Sequence, residues 1–131
     1  MTSQREKNRE LARDFYTTAF IENRHREACE RYVGERYIQH NPFVPDGVEG
    51  FLKFFEDWEP NTNPDYEQKI LRIIADDELV AVHATIRTSA EDRGTVLVDI
   101  FRVENDKIVE HWDVYMEIPD PATIPHGNGV L

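Results

Sequence analysis

The spacing of apolar residues changes once along this chain, and that change limits the folds open to it. In the first half, apolar side chains recur three and four residues apart, as they do on one face of a helix. From Tyr66 onwards they alternate with polar residues in short runs, as they do in strands with one buried face. Helices followed by closely connected strands predict an α+β fold, with helices packed on one face of a curved, mostly antiparallel sheet.

Two of the three predicted helices begin with a capping box, in which a polar side chain and a glutamate three residues later bond each other's backbone amides. The boxes are Ser3-Gln4-Arg5-Glu6 and Asp46-Gly47-Val48-Glu49. The first opens an amphipathic helix over residues 4–21. Between the two boxes, Asn23 is a plausible cap for a shorter helix, which Gly34 ends.

Four strands are predicted in the second half of the chain, joined as antiparallel hairpins. Their ranges are 66–75, 79–88, 94–103 and 107–117. Residues 37–42 should run extended, because Asn41 precedes a proline. Residues 118–131 contain three prolines and no periodicity, which predicts a loose tail. We expect residues 1–131 to form one domain.

Charge and cysteine content narrow the class of function. Fifteen basic and 26 acidic residues give a net charge of −11, which disfavours binding to nucleic acid or to anionic membranes. No apolar run approaches the ~20 residues of a membrane helix, and the first residues have no apolar signal segment. The single cysteine, Cys29, excludes an internal disulfide. We therefore expect a cytoplasmic protein whose partners are small ligands or other proteins.

Acidic and imidazole side chains occur inside the predicted strands, where a purely structural strand does not need them. They are His83, Asp99, His111 and Asp113. A three-residue loop at 104–106 would set Asp99 opposite His111 and Leu97 opposite Asp113, with the charged groups on one face. A two-residue turn would instead put the two aspartates on opposite faces, because a slip of one residue inverts a strand. We favour the first register because it gathers the polar groups.

A carboxylate on that face is a candidate general acid/base. Apolar walls and the neighbouring Asp99 would both raise the pKa of Asp113 towards neutrality, so that it could take a proton from a carbon next to a carbonyl. Asp99 could orient His111, and His40 and His83 could donate hydrogen bonds to the developing enolate oxygen. The alternative is structural: a buried Asp99–His111 ion pair that only holds two strands in register.

Three segments resemble the SnoaL-like proteins of the NTF2-like superfamily. They are Tyr37-Ile38-Gln39-His40-Asn41-Pro42, Val98-Asp99-Ile100-Phe101-Arg102 and Lys107-Ile108-Val109-Glu110-His111-Trp112-Asp113-Val114, and the similarity spans about residues 5–117. The resemblance implies a cone-shaped barrel around a deep pocket. It also implies a cofactor-free aldol cyclisation with Asp113 as general acid/base, while Leu97 and Asp99 occupy substrate-contacting places. Leu97 departs from the polar residue expected there.

The leading hypothesis is a cofactor-free acid/base enzyme that performs aldol cyclisation, isomerisation or dehydration on a small hydrophobic carbonyl compound. The alternative is a non-catalytic module that binds a small molecule. The catalytic candidates are Asp113, Asp99 and His111; the substrate-binding candidates are His40, His83, Tyr16, Leu97, Phe101, Trp112 and Tyr115. Tyr16 with Asp99 could imitate the oxyanion hole of the related ketosteroid isomerase.

Two further predictions concern metals and assembly. The histidines and aspartates could in principle bind zinc or iron, but they lack the spacing of a metal motif, so we predict no metal. The sheet face away from the helices carries the apolar residues Val96, Val98, Ile100 and Val114. An apolar stripe on that face predicts a homodimer that packs sheet against sheet.

Overall fold

The computed structural model describes residues 1–58 and 62–131. Its helices are α1 (Gln4–Tyr16), a π-helical segment (Thr17–Ile21), α2 (His25–Tyr32), α3 (Gly47–Glu56) and a short 3₁₀ turn (Pro121–Thr123). Its strands are β1 (Val33–Gln39), β2 (Glu67–Ala75), β3 (Leu79–Arg87), β4 (Thr95–Glu104) and β5 (Lys107–Glu117). Within the described ranges, no helix is long and apolar enough to cross a membrane.

The first capping box forms as predicted and the second does not. Ser3 accepts from the backbone N–H of Glu6, whose side chain accepts from the N–H of Ser3. Asp46 stands at the N-cap of α3, but its carboxylate accepts from the backbone N–H of Gln39 at 2.8 Å. Asp46 therefore connects the start of α3 to the end of β1 instead of closing a capping box.

The long first helix changes its winding at its C-terminal end. The prediction of one helix over residues 4–21 is correct for its extent, but Thr17–Ile21 is π-helical, with the N–H of Glu22 bonded to the carbonyl of Thr17 at 2.9 Å. Single π-turns within helices are frequent at functional sites. Phe20, within this segment, lines the aromatic cavity described below.

The sheet contains all four predicted strands and one that was missed. Its order is β1-β5-β4-β3-β2; the predicted strands pair antiparallel, and β1 lies parallel to β5 at the edge. Gly34 does not end α2 as predicted: it lies in β1, where a Cβ would stand 3.2 Å from Val109 Cγ1. Glycine thus allows β1 to approach β5 closely at this point.

The predicted register between β4 and β5 gives the wrong residue pairs, but it correctly places Asp99, His111 and Asp113 on one face of the sheet. The turn is Asn105-Asp106, with φ of 51° and 58°, as in a type I′ hairpin. A bulge follows, because Arg102 pairs with Glu110 and Val103 with Ile108, leaving Val109 unpaired. This extra residue restores the alternation that the two-residue turn inverted.

The resulting pairs bring the two aspartates together. Asp99 pairs with Asp113, Leu97 with Tyr115 and Phe101 with His111, instead of Asp99 with His111 and Leu97 with Asp113. All of these residues lie on the face that carries the core. That core packs α1 and α3 against the sheet, and its fully buried members include Phe15, Tyr16, Val80, Phe101 and Ile108.

The tail begins with an anchored residue. The N–H of Ile118 donates to the carbonyl of Gly94 at 2.9 Å, and Arg93 Nε donates to the carbonyl of Ile118. The residues that follow are mostly exposed, including the short 3₁₀ turn. That this terminus is loosely held stays a prediction.

Candidate active site

A cavity of about 310 Å³ lies between the inner face of the sheet and the helices. One side of it is aromatic, with Phe20, Phe51, Phe54, Phe55 and Trp58. The other side carries polar groups from the strands and from the segment after β1: Gln39, Asn41, Gln68, Asp99, His111 and Asp113. Phe43 and Tyr115 also line it and are more than half exposed, so they lie at its mouth. An apolar hollow with a few convergent polar groups is typical of small-molecule sites.

The innermost polar group is a buried histidine–aspartate pair. His111 Nε2 lies 2.8 Å from Asp99 Oδ1, and both side chains are at least nine-tenths buried. His111 Nδ1 lies 2.7 Å from Gln39 Oε1 at the end of β1. Both ring nitrogens are therefore occupied, so His111 is held from two sides.

The second oxygen of Asp99 connects to a tyrosine from the first helix. Tyr16 donates to Asp99 Oδ2 at 3.1 Å, and Gln68 Nε2 donates to the Tyr16 hydroxyl at 2.7 Å. Tyr66 in turn donates to Gln68 Oε1 at 2.5 Å. Burial first, and then the charge of Asp99, raise the pKa of Tyr16 well above its ordinary value. Tyr16 is thus a permanent donor that supports Asp99 from behind the cavity wall.

Asp113 lies at the cavity in a less constrained position. Asn41 Nδ2 donates to both of its oxygens, at 3.0 and 2.9 Å, and the side chain is half-buried. Loss of water around the carboxyl is the largest influence and raises the pKa of Asp113, and the nearby Asp99 acts in the same direction. The hydrogen bond from Asn41 and the charge of His111 oppose that rise. The expected direction of the shift is therefore present, with desolvation as its main cause.

Tyr37 places a hydroxyl at the same cavity. It comes from β1, is almost fully buried, and stacks near His111 with a centroid separation of 6.5 Å. Burial first, and then the charge of Asp99, raise the pKa of Tyr37 well above its ordinary value. The hydroxyl therefore keeps its proton at any physiological pH and can act as a donor.

The cavity contains six of the predicted site residues and a seventh supports it. Asp99, His111, Asp113, Leu97, Phe101 and Tyr115 line the cavity, and Tyr16 bonds Asp99. The structure does not bring His40, His83 and Trp112 to it.

Those three residues lie on the opposite face of the sheet. His40 stacks on Trp112 at 4.9 Å and bonds Glu110 at 2.7 Å, while His83 contacts Arg72 on the neighbouring strand. Trp112 stands between His111 and Asp113, so alternation alone directs it away from them. The prediction that His40 and His83 donate to a substrate oxygen is therefore wrong.

Sequence reasoning missed five polar residues of the site: Tyr37, Gln39, Asn41, Tyr66 and Gln68. Three of them lie in the segment 37–42, which was identified as extended without a partner strand. Its parallel pairing with β5, in which Gln39 lies beside His111, is what brings them to the cavity. Tyr66 immediately precedes β2 and Gln68 lies within it, two residues further on, so the alternating pattern could have marked both as inward-facing.

The cluster does not suit a metal ion well. Ligand atoms of Asp99, His111 and Asp113 lie within 4.8 Å of one another. However, both oxygens of Asp99 and both nitrogens of His111 already hydrogen bond to protein groups. A metal would have to replace these bonds, so we derive no step through one.

The fold and the cavity together define a class of protein. Helices and an open, curved sheet enclose an aromatic cavity that carries polar groups, which is the NTF2-like arrangement. The model of the SnoaL-like domain matches residues 12–111, so the chain belongs to that family.

Solved structures agree with this assignment. A "putative ketosteroid isomerase" from Kribbella flavida has a TM-score of 0.73 at 22% identity and covers 95% of this chain and 87% of its own. TsrD from Streptomyces laurentii has a TM-score of 0.68 at 19% identity, with 87% and 91% covered. A "putative polyketide cyclase" from Bacillus cereus also has a TM-score of 0.68 at 19% identity, with 84% and 74% covered. At these identities the likeness concerns the fold. No curated protein matches the sequence.

Proposed function

We propose that this protein is a cofactor-free acid/base enzyme that acts on a small hydrophobic carbonyl compound, with Asp113 as the general base. The observation that carries the proposal is the placement of a half-buried carboxylate, its pKa raised by desolvation, on the wall of an aromatic cavity. A carboxyl of this kind is suited to removing and returning a proton near neutral pH. The fold shared with a "putative polyketide cyclase" and a "putative ketosteroid isomerase" is consistent with this chemistry.

The proposed step is a proton transfer from carbon to Asp113. The carboxylate takes a proton from the carbon next to the carbonyl, and the electron pair of the C–H bond moves to the carbonyl oxygen as an enolate. The enolate then attacks a second carbonyl, takes the proton back at another carbon, or expels a β-hydroxyl group. These three outcomes correspond to aldol cyclisation, isomerisation and dehydration.

The enolate oxygen needs a donor, and Tyr37 is the best placed candidate. Tyr37 lines the cavity, and the raised pKa of its hydroxyl keeps the proton in place. This assignment replaces the histidines of the outer face. A preorganised donor directed at developing charge is typically the largest contribution to such catalysis.

The cavity favours an uncharged substrate. Among its described lining residues there is no lysine or arginine, whereas Asp99 and Asp113 both contribute carboxylates. An anionic ligand would therefore lose its hydration without gaining a compensating charge. We expect the neutral ketone 2-acetonaphthone to bind and its carboxylate counterpart 2-naphthoate not to bind, as measured by calorimetry.

The test of the proposed function is exchange of the methyl protons of 2-acetonaphthone in D₂O, followed by NMR. We expect the wild-type protein to accelerate this exchange and Asp113→Asn to reduce the acceleration about 10²–10⁴-fold, the usual contribution of a general base. Asp77→Asn, in the exposed loop between β2 and β3, is the matched control and should exchange like the wild type. Binding without any accelerated exchange would instead support the non-catalytic ligand-binding module.

We also propose that the outer face of the sheet mediates a homodimer. Val114 on β5 and Ile74 on β2 are each about two-thirds exposed, and Val98 and Ile100 lie partly exposed between them. Apolar side chains on a sheet face are commonly buried by a second copy. Sedimentation should find a dimer at micromolar concentration, and a monomer there would contradict the proposal.

A further inference from the structure

We propose that Gln39 is a positioning residue that holds His111 in the form with a proton on Nδ1, and so fixes the direction of its hydrogen bond with Asp99. Gln39 ends β1 and is the parallel partner of His111 on β5. Its Oε1 lies 2.7 Å from His111 Nδ1. Which nitrogen of His111 carries the proton depends on which end of the Gln39 amide faces the ring.

The backbone decides the orientation of the Gln39 amide. The N–H of Asn41 donates to Oε1 at 3.0 Å, and the N–H of His40, which also donates to the backbone carbonyl of His111 at 3.0 Å, lies 3.1 Å from the same Oε1. Because a backbone N–H can only donate, the atom that receives both bonds must be the carbonyl oxygen. The amide nitrogen is then left to donate. The Gln39 side chain acts on Tyr37 as a donor would, because it opposes the rise that burial gives to the pKa of that hydroxyl. A flipped amide would place its NH₂ group against the two backbone N–H donors.

The orientation of the amide determines the proton on the histidine. An amide oxygen only accepts, so His111 Nδ1 must carry the hydrogen of that bond. The Nε2–Asp99 contact at 2.8 Å then holds one proton, either on Nε2 beside a carboxylate or on Asp99 beside a neutral ring. In both forms the pair carries no net charge. The neutral tautomer with its proton only on Nε2 is excluded by the Gln39 oxygen.

This arrangement assigns distinct roles to the two aspartates. Asp99 and His111 neutralise each other inside the wall, and Asp113, paired with Asp99 across the strands, remains the unneutralised acid at the cavity. Without the Gln39 oxygen, the ring could change tautomer or turn, and the charge of Asp99 would act on Asp113 without compensation. The effect on turnover rests on the proposed function, whereas the tautomer of His111 does not.

The experiment measures the tautomer directly. Long-range ¹⁵N–¹H spectra of ¹⁵N-histidine-labelled protein should show a protonated Nδ1 for His111, assigned by the loss of its signals in His111→Asn. Gln39→Met, which keeps the length but removes the acceptor, should abolish that signature. Gln39→Glu, which keeps an acceptor oxygen, should restore it. Gln4→Met on the exposed start of α1 is the matched control and should leave the signature unchanged.

Exchange of 2-acetonaphthone protons provides the second readout. We expect kcat to fall about tenfold in Gln39→Met with little change in KM, and to recover in Gln39→Glu, as is typical when an orienting partner is lost. A wild-type His111 protonated only on Nε2 would overturn the proposal, as would an unchanged Nδ1 signal in Gln39→Met. If the tautomer follows Gln39 but no variant exchanges the ketone, the positioning role stands and the proposed function fails.

Discussion

Two histidine–carboxylate pairs, each with one member on β5, lie on opposite faces of the sheet, and their distances are almost identical. On the inner face His111 lies 2.8 Å from Asp99, and on the outer face His40 lies 2.7 Å from Glu110, the residue next to His111. The inner side chains are 10% and 8% exposed, whereas in the outer pair His40 is 42% exposed and Glu110 is 15% exposed. The nitrogen–oxygen distance therefore does not distinguish the two pairs, but their exposure to solvent does.

The surroundings of each pair give the difference its chemical meaning. The outer pair continues to Arg102, which bonds Glu110 at 2.8 Å, so that opposite charges and water compensate the carboxylate. The pKa of Glu110 is lowered, first by the hydrogen bond with His40 and then by Arg102. The inner pair lies beside Asp113, whose pKa is raised because water is excluded. Perturbation of this second kind is typical of functional sites.

Breaking each pair should separate the two faces by stability. His111→Ala leaves Asp99 buried without its histidine partner and with only the hydrogen bond from Tyr16, which we expect to cost about 3–5 kcal/mol. His40→Ala removes a solvent-screened contact and should cost less than about 1 kcal/mol. Urea denaturation followed by circular dichroism measures both. Equal losses from the two variants would show that the inner pair is less desolvated than its burial indicates.

The inner face of the sheet could be predicted from the sequence in part. Alternation placed the four antiparallel strands within two residues of their observed bounds, and it put His111 and Asp113 on one face. The register that we favoured because it gathers the polar groups correctly added Asp99 to that face. It did so with the wrong pairs, because the bulge at Val109 has no signature of its own. One extra residue in a strand becomes visible only when its partner strand is known.

The placement of the other histidines required tertiary information. His83 lies in the run Leu79–Ala84, in which all the remaining residues are apolar. The run therefore shows no alternation that would indicate which face His83 occupies. His40 follows β1, whose sequence mixes glycine and charged residues and gives no strand signal. Parallel pairing with β5 is a long-range contact, and it decides that Gln39 and Asn41 reach the cavity while His40 does not.

Neutralising Asp113 and neutralising Glu110 should change the free energy of unfolding at pH 7 by small amounts of opposite sign. The folded-state pKa of Asp113 is raised, so its contribution to stability is fully present below its ordinary pKa and is lost as the pH rises through the raised value. Asp113→Asn should therefore unfold like the wild type in acid and be more stable at pH 7, by about 0.5 kcal/mol.

Glu110 should behave in the opposite way, because its folded-state pKa is lowered by His40 and Arg102. Its contribution is present above its ordinary pKa and is lost as the pH falls through the lowered value. Glu110→Gln should thus lose about 0.5 kcal/mol at pH 7 and nothing in acid, a size usual for solvent-screened pairs. Urea titrations of both variants at pH 3 and pH 7 measure the two signs. If Asp113→Asn destabilised the protein at pH 7, the folded protein would favour the charged carboxylate. The pKa of Asp113 would then not be raised, and the argument for Asp113 as a base near neutral pH would fail.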